Sequence, residues 1–301
     1  MKEKTMSRLL RGLSSAVLAV AALQGANAYA APMLGFNSAG TGPGGYVYSD
    51  LYTWLTDSAL SVGFLPGTLI PPGAPYSTDL VAQGRIGALQ AGGVVNTPAG
   101  LNSTYELTFQ TRVAETVTSQ GTFVAFGGVI HEAATFVLGA GPNLFNLYID
   151  KNPATFADPN VVSGYGEGLG TAVGCAPGAI LCGHAVSLTS SFDGVISGPD
   201  AGTGTGSFDL RYLIDGFDTA YIDTTLGGIF GIQATGTLNL PSFFSPTAMW
   251  DGTSTADPSI LLKLDGSNSF SAVPEPGSLA LLGIGLIGFG LNRFGRHRSR
   301  S

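Results

Sequence analysis

Charge is scarce in this chain: Asp, Glu, Lys and Arg together make up 11% of its 301 residues. Lys and Glu, the usual furniture of surface helices, are few, while Gly, Ser, Thr and Ala abound. Such a composition disfavours long helices and favours strands joined by turns. The motifs of common catalytic classes are also missing. No G-x-S-x-G elbow is present, so the usual hydrolase nucleophile turn is excluded. His131-Glu132-Ala133-Ala134-Thr135 opens like a zinc-protease helix, but Thr135 stands where the second histidine must sit to share one helix face. The glycines at 164, 166, 168 and 170 do not follow G-x-G-x-x-G, because Leu169 takes the place of the last glycine. They read as a loop. No repeat of fixed period is found.

The chain is organised by its two ends. Lys2, Lys4, Arg8 and Arg11 precede an apolar stretch from Leu13 to Leu23, and Ala28-Tyr29-Ala30 follows. This is a secretory signal peptide with an A-x-A site, so residues 1–30 are expected to be removed, with cleavage after Ala28 as the alternative. At the other end stand Val273-Pro274-Glu275-Pro276, then residues 277–291 without a charge, then Arg293, Arg296, Arg298 and Arg300. The two prolines hold Glu275 in an extended, accessible segment. The apolar run Ser278 to Leu291 covers roughly 22 Å as a helix, short of a ~30 Å hydrocarbon core. The arginines compensate by snorkelling, and they mark the far end as cytoplasmic.

This order of motif, apolar helix and basic tail resembles the PEP-CTERM signal of Gram-negative bacteria. The resemblance implies a membrane-embedded, exosortase-type cysteine protease as partner. It also implies a transient single-pass stay in the inner membrane and delivery to the cell surface or extracellular matrix. The domain reading is therefore 1–30 signal peptide, 31–272 exported body and 273–301 sorting signal.

Within the body, five basic residues face eighteen acidic ones, a net charge of −13 that the −7 of the whole chain hides. Such a body repels nucleic acid, and it repels anionic polysaccharide unless divalent cations bridge the two. Cys175 and Cys182 flank a turn-rich hexapeptide in an exported chain and are expected to pair. Their short loop contributes on the order of 2 kcal/mol in the chain-entropy model, enough to pin a hairpin.

Period-two alternation runs through the body. Tyr105, Leu107, Phe109, Thr111 and Val113 share one face, with Glu106, Thr108, Gln110 and Arg112 on a face expected to be wet. Thr122 to Val129 reads as a strand buried on both faces. Phe145, Leu147 and Ile149 alternate, as do Phe208, Leu210, Tyr212 and Ile214. The alternation is strongest from Phe230 to Leu240. Ile260, Leu262 and Leu264 make the last strand. The fold class expected is all-β, an antiparallel sandwich or jelly-roll-like body.

Asp209, Asp215, Asp218 and Asp223 lie within fifteen residues and could supply a glycosidase pair. Turn chemistry explains such aspartates as well. Calcium at loop carboxylates is the metal this acidic surface allows, though no D-x-D-x-D-G loop assigns it to positions. Three segments, Leu144 to Asp150, Ser207 to Ile222 and Leu261 to Phe270, are similar to the flocculation-associated PEP-CTERM proteins. That resemblance implies a non-catalytic protein acting with exopolysaccharide in flocculation or biofilm formation. The alternatives are a lectin-like module and a secreted glycoside hydrolase.

Overall fold

The computed structural model describes residues 33–65, 74–125, 127–161, 164–198, 200–224, 230–256 and 259–272. The signal peptide over 1–30 lies outside them. So do Pro274, Glu275 and Pro276, the apolar run 277–291, and Arg293, Arg296, Arg298 and Arg300. Among the described residues there are thirteen strands and no helix. They are β1 (Leu34–Phe36), β2 (Val47–Ser49), β3 (Leu51–Trp54), β4 (Asp57–Val62), β5 (Tyr76–Ala91), β6 (Val94–Val95) and β7 (Tyr105–Val124). Then come β8 (Ile130–Lys151), β9 (Ala179–Val195), β10 (Gly204–Phe217), β11 (Ile222–Thr224), β12 (Phe230–Leu240) and β13 (Ser259–Ala272).

The main sheet closes on itself. β5, β7, β8, β9, β10, β12 and β13 each lie antiparallel beside their neighbour in the chain, apart from the short β6 and β11. β3 and β4 act as one interrupted strand, and each pairs with β13 on one side and β5 on the other. The ring is therefore complete, an up-and-down barrel with no open edge along it. The all-β antiparallel class expected from the alternation holds. Within it, strands sit in chain order around one closed sheet, without the Greek-key crossings of two facing sheets. Alternation fixes which face of a strand is buried, not which strand is its partner.

The lumen is a packed core. Trp54 of β3 meets Phe109 of β7 at 4.6 Å between ring centroids and stacks on Phe208 of β10 at 5.9 Å. Phe145 of β8 meets Tyr212 of β10 at 5.0 Å, and Tyr52 meets Phe270 edge-on at 4.8 Å. Rings thus reach across the barrel, as an eight-position ring permits. Leu107, Ile149, Ile180, Ile232 and Leu264 fill the spaces between them.

Outside, two halves of the barrel differ. Over β4, β5 and β7 lies a second layer, built by the connection 152–178 and by residues 241–256. Glu106 accepts the Ala157 N–H at 3.0 Å, Ser58 donates to the Pro159 carbonyl at 3.0 Å, and Tyr165 donates to Asp57 at 2.5 Å. The Trp250 backbone N–H donates to Gln83 Oε1, and Arg112 pairs with Asp79 at 2.6 Å and Asp251 at 2.9 Å. This overturns the expectation of a wet face on β7: Glu106, Thr108 and Gln110 are buried. The polar side chains there serve as hydrogen-bond anchors for the overlying chain, a task that composition cannot distinguish from solvation.

Glycine makes the close approach feasible. A Cβ on Gly170 would lie 2.1 Å from the Ala179 carbonyl oxygen, so only glycine lets this connection bridge to Gly178, the residue just before β9. Cys175 and Cys182 are joined by a disulfide that ties the same connection to β9. Changing both cysteines to serine is expected to lower stability by about 2 kcal/mol while leaving the barrel folded, read from urea unfolding midpoints.

The apolar run Thr122 to Val129 also differs from expectation. Phe123 is 45% and Val124 70% exposed, because the β7–β8 hairpin runs past the end of β5 and its tip has no covering layer. Its hydrophobicity had suggested a buried strand.

Candidate functional site

Four features could carry function: the polar outer face, the aspartate group, the buried carboxyls and a tyrosine pair. On the uncovered half of the barrel, β9, β10, β12 and β13 present a grid of outward side chains in register. Ser191, Ser207, Thr237 and Asp265 form one row, and Thr189, Asp209, Thr235 and Ser267 the next. Asp193, Thr205, Asn239 and Lys263 flank them on one side, with Ser187, Arg211, Gln233 and Ser269 on the other. All sixteen positions are polar and most are uncharged. Ser191 and Ser207 share a hydrogen bond at 3.2 Å, and Gln233 donates to Asp209 at 2.8 Å. An open recess of about 270 Å³ lies between β9 and β10, lined by Thr189, Ser191, Ser207 and Asp209. An apolar lumen with a polar exterior is the reverse of an outer-membrane barrel, whose outward band is apolar.

The four aspartates singled out in the sequence are not brought together for one task. Asp209 faces Gln233, and Asp215 accepts from His184 Nδ1 at 2.7 Å. Asp218 accepts the N–H and hydroxyl of Thr171 and the N–H of Ala220, which pull its carboxyl below the usual range against the opposing effect of burial. Asp223 accepts from Tyr48 at 2.6 Å. His131 and Glu132 lie on a strand, where successive side chains point to opposite faces. His131 meets Asp193 at 2.8 Å, and Glu132 is buried beside Gln120. Among the described residues no three His, Cys, Asp or Glu side chains stand together so as to hold a metal ion.

Buried carboxyls went unnoticed in the sequence. Glu115 points into the lumen beside a small cavity of about 20 Å³ lined by Phe64, Leu80, Phe136 and Phe192. Burial raises its pKa to about 8 against the weak opposing bond from Thr78 at 3.3 Å. Asp57, beneath the outer layer, is raised to about 7 by burial, opposed by hydrogen bonds from Tyr165 and the Ser58 N–H and by Arg85. Glu115 faces inward because it continues the series Leu107, Phe109, Thr111 and Val113 by one more step of two, in unbroken register with β5. Tyr165→Phe removes the hydroxyl donated to Asp57. It is expected to cost 1–2 kcal/mol, on the order of one buried charge-assisted bond, and to increase proteolytic cutting within 152–178.

The tyrosine pair lies on the small sheet of β11, β1 and β2. Tyr46 and Tyr48 are two residues apart, so both rings lie on one face, with centroids 6.4 Å apart and planes at 52°. Tyr46 donates its hydroxyl to the Thr219 carbonyl and Tyr48 to Asp223. Hydrogen bonding to the carboxylate, with some burial, raises the Tyr48 hydroxyl to about 12. Tyr46, Tyr48, Tyr52 and Trp54 follow one another within nine residues of the sequence. The structure divides them, with Tyr52 and Trp54 in the lumen.

With this geometry in place, residues 272–293 match the PEP-CTERM protein-sorting motif. The chain is thus an exported protein sorted by an exosortase through a C-terminal membrane anchor to the cell surface. Neither the curated proteins nor the solved structures contain a match to it.

Proposed function

We propose that the barrel is a non-enzymatic component of the extracellular matrix, acting with exopolysaccharide in flocculation or biofilm formation. The observation that carries this reading is the polar grid on β9, β10, β12 and β13. It offers hydroxyl or amide groups at eleven of sixteen positions and charged groups at the other five, with no apolar side chain among them. Such a face stays hydrated and exchanges hydrogen bonds readily with a hydroxyl-rich polymer, and short Ser and Thr side chains lose little entropy in doing so. The separate engagement of the four aspartates and the missing nucleophile motifs support a binding role over hydrolysis. The test is deletion of the gene in the producing strain, with floc settling as readout. Deletion is expected to abolish flocs, and the intact gene to restore them. Normal flocs together with undegraded polysaccharide would instead favour a secreted glycosidase.

A further inference from the structure

We propose that the exposed face of the β11–β1–β2 sheet is a binding site for a neutral glycan, with Tyr46 and Tyr48 as stacking rings and Asp223 as acceptor. The proposal rests on the polysaccharide reading above and gives it a location away from the polar grid. Three observations converge on it.

The rings are fixed before any ligand arrives. Each hydroxyl is tied down, Tyr46 to the Thr219 carbonyl and Tyr48 to Asp223, yet both side chains stay only half-buried. Ligand binding then costs little rotamer entropy. Inclined at 52°, the rings form a shallow cradle and not a single plane.

Next, the Tyr48 ring is held against the sheet over a buried glycine. Gly35 sits in the middle strand between Tyr48 and Asp223. A Cβ there would meet Tyr48 Cε1 at 2.8 Å, Asp223 Cβ at 3.1 Å and Tyr46 Cβ at 3.2 Å. Any larger residue would displace a ring or the carboxylate.

The chemistry also selects the ligand. Tyrosine faces take an apolar surface, while a carboxylate accepts hydrogen bonds only, and no bond to Asp223 Oδ1 is made among the described residues. A ligand that is apolar on one side and rich in hydroxyl donors at its rim fits both, and a pyranose ring has that character. Anionic sugars are opposed by Asp223, by Asp218 nearby and by the net charge of the body. A protein partner would need an apolar surround, but none of the large exposed hydrophobic side chains among the described residues lies on β1, β2 or β11.

The test uses the full-length chain in a detergent without a sugar headgroup, titrated calorimetrically with three probes. These are neutral oligosaccharides of glucose and of N-acetylglucosamine, a uronic-acid oligosaccharide with and without calcium, and a lysine-rich peptide. A neutral oligosaccharide is expected to bind saturably. Tyr46→Ala combined with Tyr48→Ala should weaken it at least about tenfold, as the loss of two ring contacts implies. Asp223→Asn should weaken it with the fold intact by circular dichroism, and it keeps the test decisive if the ring variant fails to fold. Thr118→Ala with Ser119→Ala, on the exposed β7–β8 hairpin away from both this sheet and the grid, should leave the affinity unchanged. The site is overturned if no neutral oligosaccharide binds, if the lysine peptide or the uronic-acid probe binds instead, or if binding survives Asp223→Asn and the ring changes. Binding that is lost only with Thr235→Ala combined with Thr237→Ala, on the polar grid, would sink the site while leaving the polysaccharide reading standing.

Discussion

Glu275→Ala is expected to leave the chain at full length in the membrane fraction, with nearly complete loss of the processed form outside the cell. Glu275 is the one charged residue between the body and the basic tail, and it stands between two prolines. The match to the sorting motif spans it. The apolar run and arginines are untouched by the change, so insertion and topology should persist while cleavage fails. Immunoblots of membrane and extracellular fractions read the outcome. Normal release of the alanine variant would show that the protease reads some other feature. Replacing Arg293, Arg296, Arg298 and Arg300 by glutamine should act differently, degrading topology and lowering the yield of correctly inserted chain.

The second large effect concerns Glu115, a carboxyl inside an apolar barrel. Its folded pKa of about 8 lies above the ordinary carboxyl value, so the folded state holds the proton more tightly than the unfolded chain. Stability from this proton is fully present in acid. It is lost as pH rises from about 4 through 8, and Asp57, raised to about 7, adds to the same trend. The wild-type chain should therefore be less stable at pH 9 than at pH 5, by on the order of 3–5 kcal/mol from Glu115 alone. Glu115→Gln has no proton to lose. It should flatten this dependence and make the variant the more stable protein at pH 9, even if its amide packs less well at pH 5. Thermal melts of both proteins across that range decide the matter, and parallel curves would contradict the placement of Glu115.

Much of the barrel was legible in the sequence. Alternation located the inward residues of β10, β12 and β13, from Phe208 to Leu264, because a strand with one buried face leaves a period of two. Spacing and export context anticipated the Cys175–Cys182 bond. Closure was not legible. It depends on β13 returning to β3 and β4 from the far end of the chain, and no local pattern records that pairing. The second layer was hidden for a related reason: Glu106, Thr108 and Gln110 look like solvated residues until the connection 152–178 lies over them. Glu115 escaped notice because a charged residue two positions beyond Val113 reads as the end of the apolar series, although it lies on the same face. As for the tyrosine cradle, its parts come from positions 35, 46, 48 and 223, which only the fold brings side by side. Glycine at 35 was a trace of it, but one glycine among 45 carries no message by itself.

The central claim is that an exported barrel is cut at its sorting motif and deployed among surface polysaccharides. The most direct test is the intact mass of the protein recovered from the polysaccharide fraction of the producing strain. The account predicts a chain that has lost its signal peptide at the Ala28-Tyr29-Ala30 site and everything beyond the Pro274-Glu275-Pro276 motif. A full-length C-terminus, or a protein found only in the membrane fraction, would contradict it.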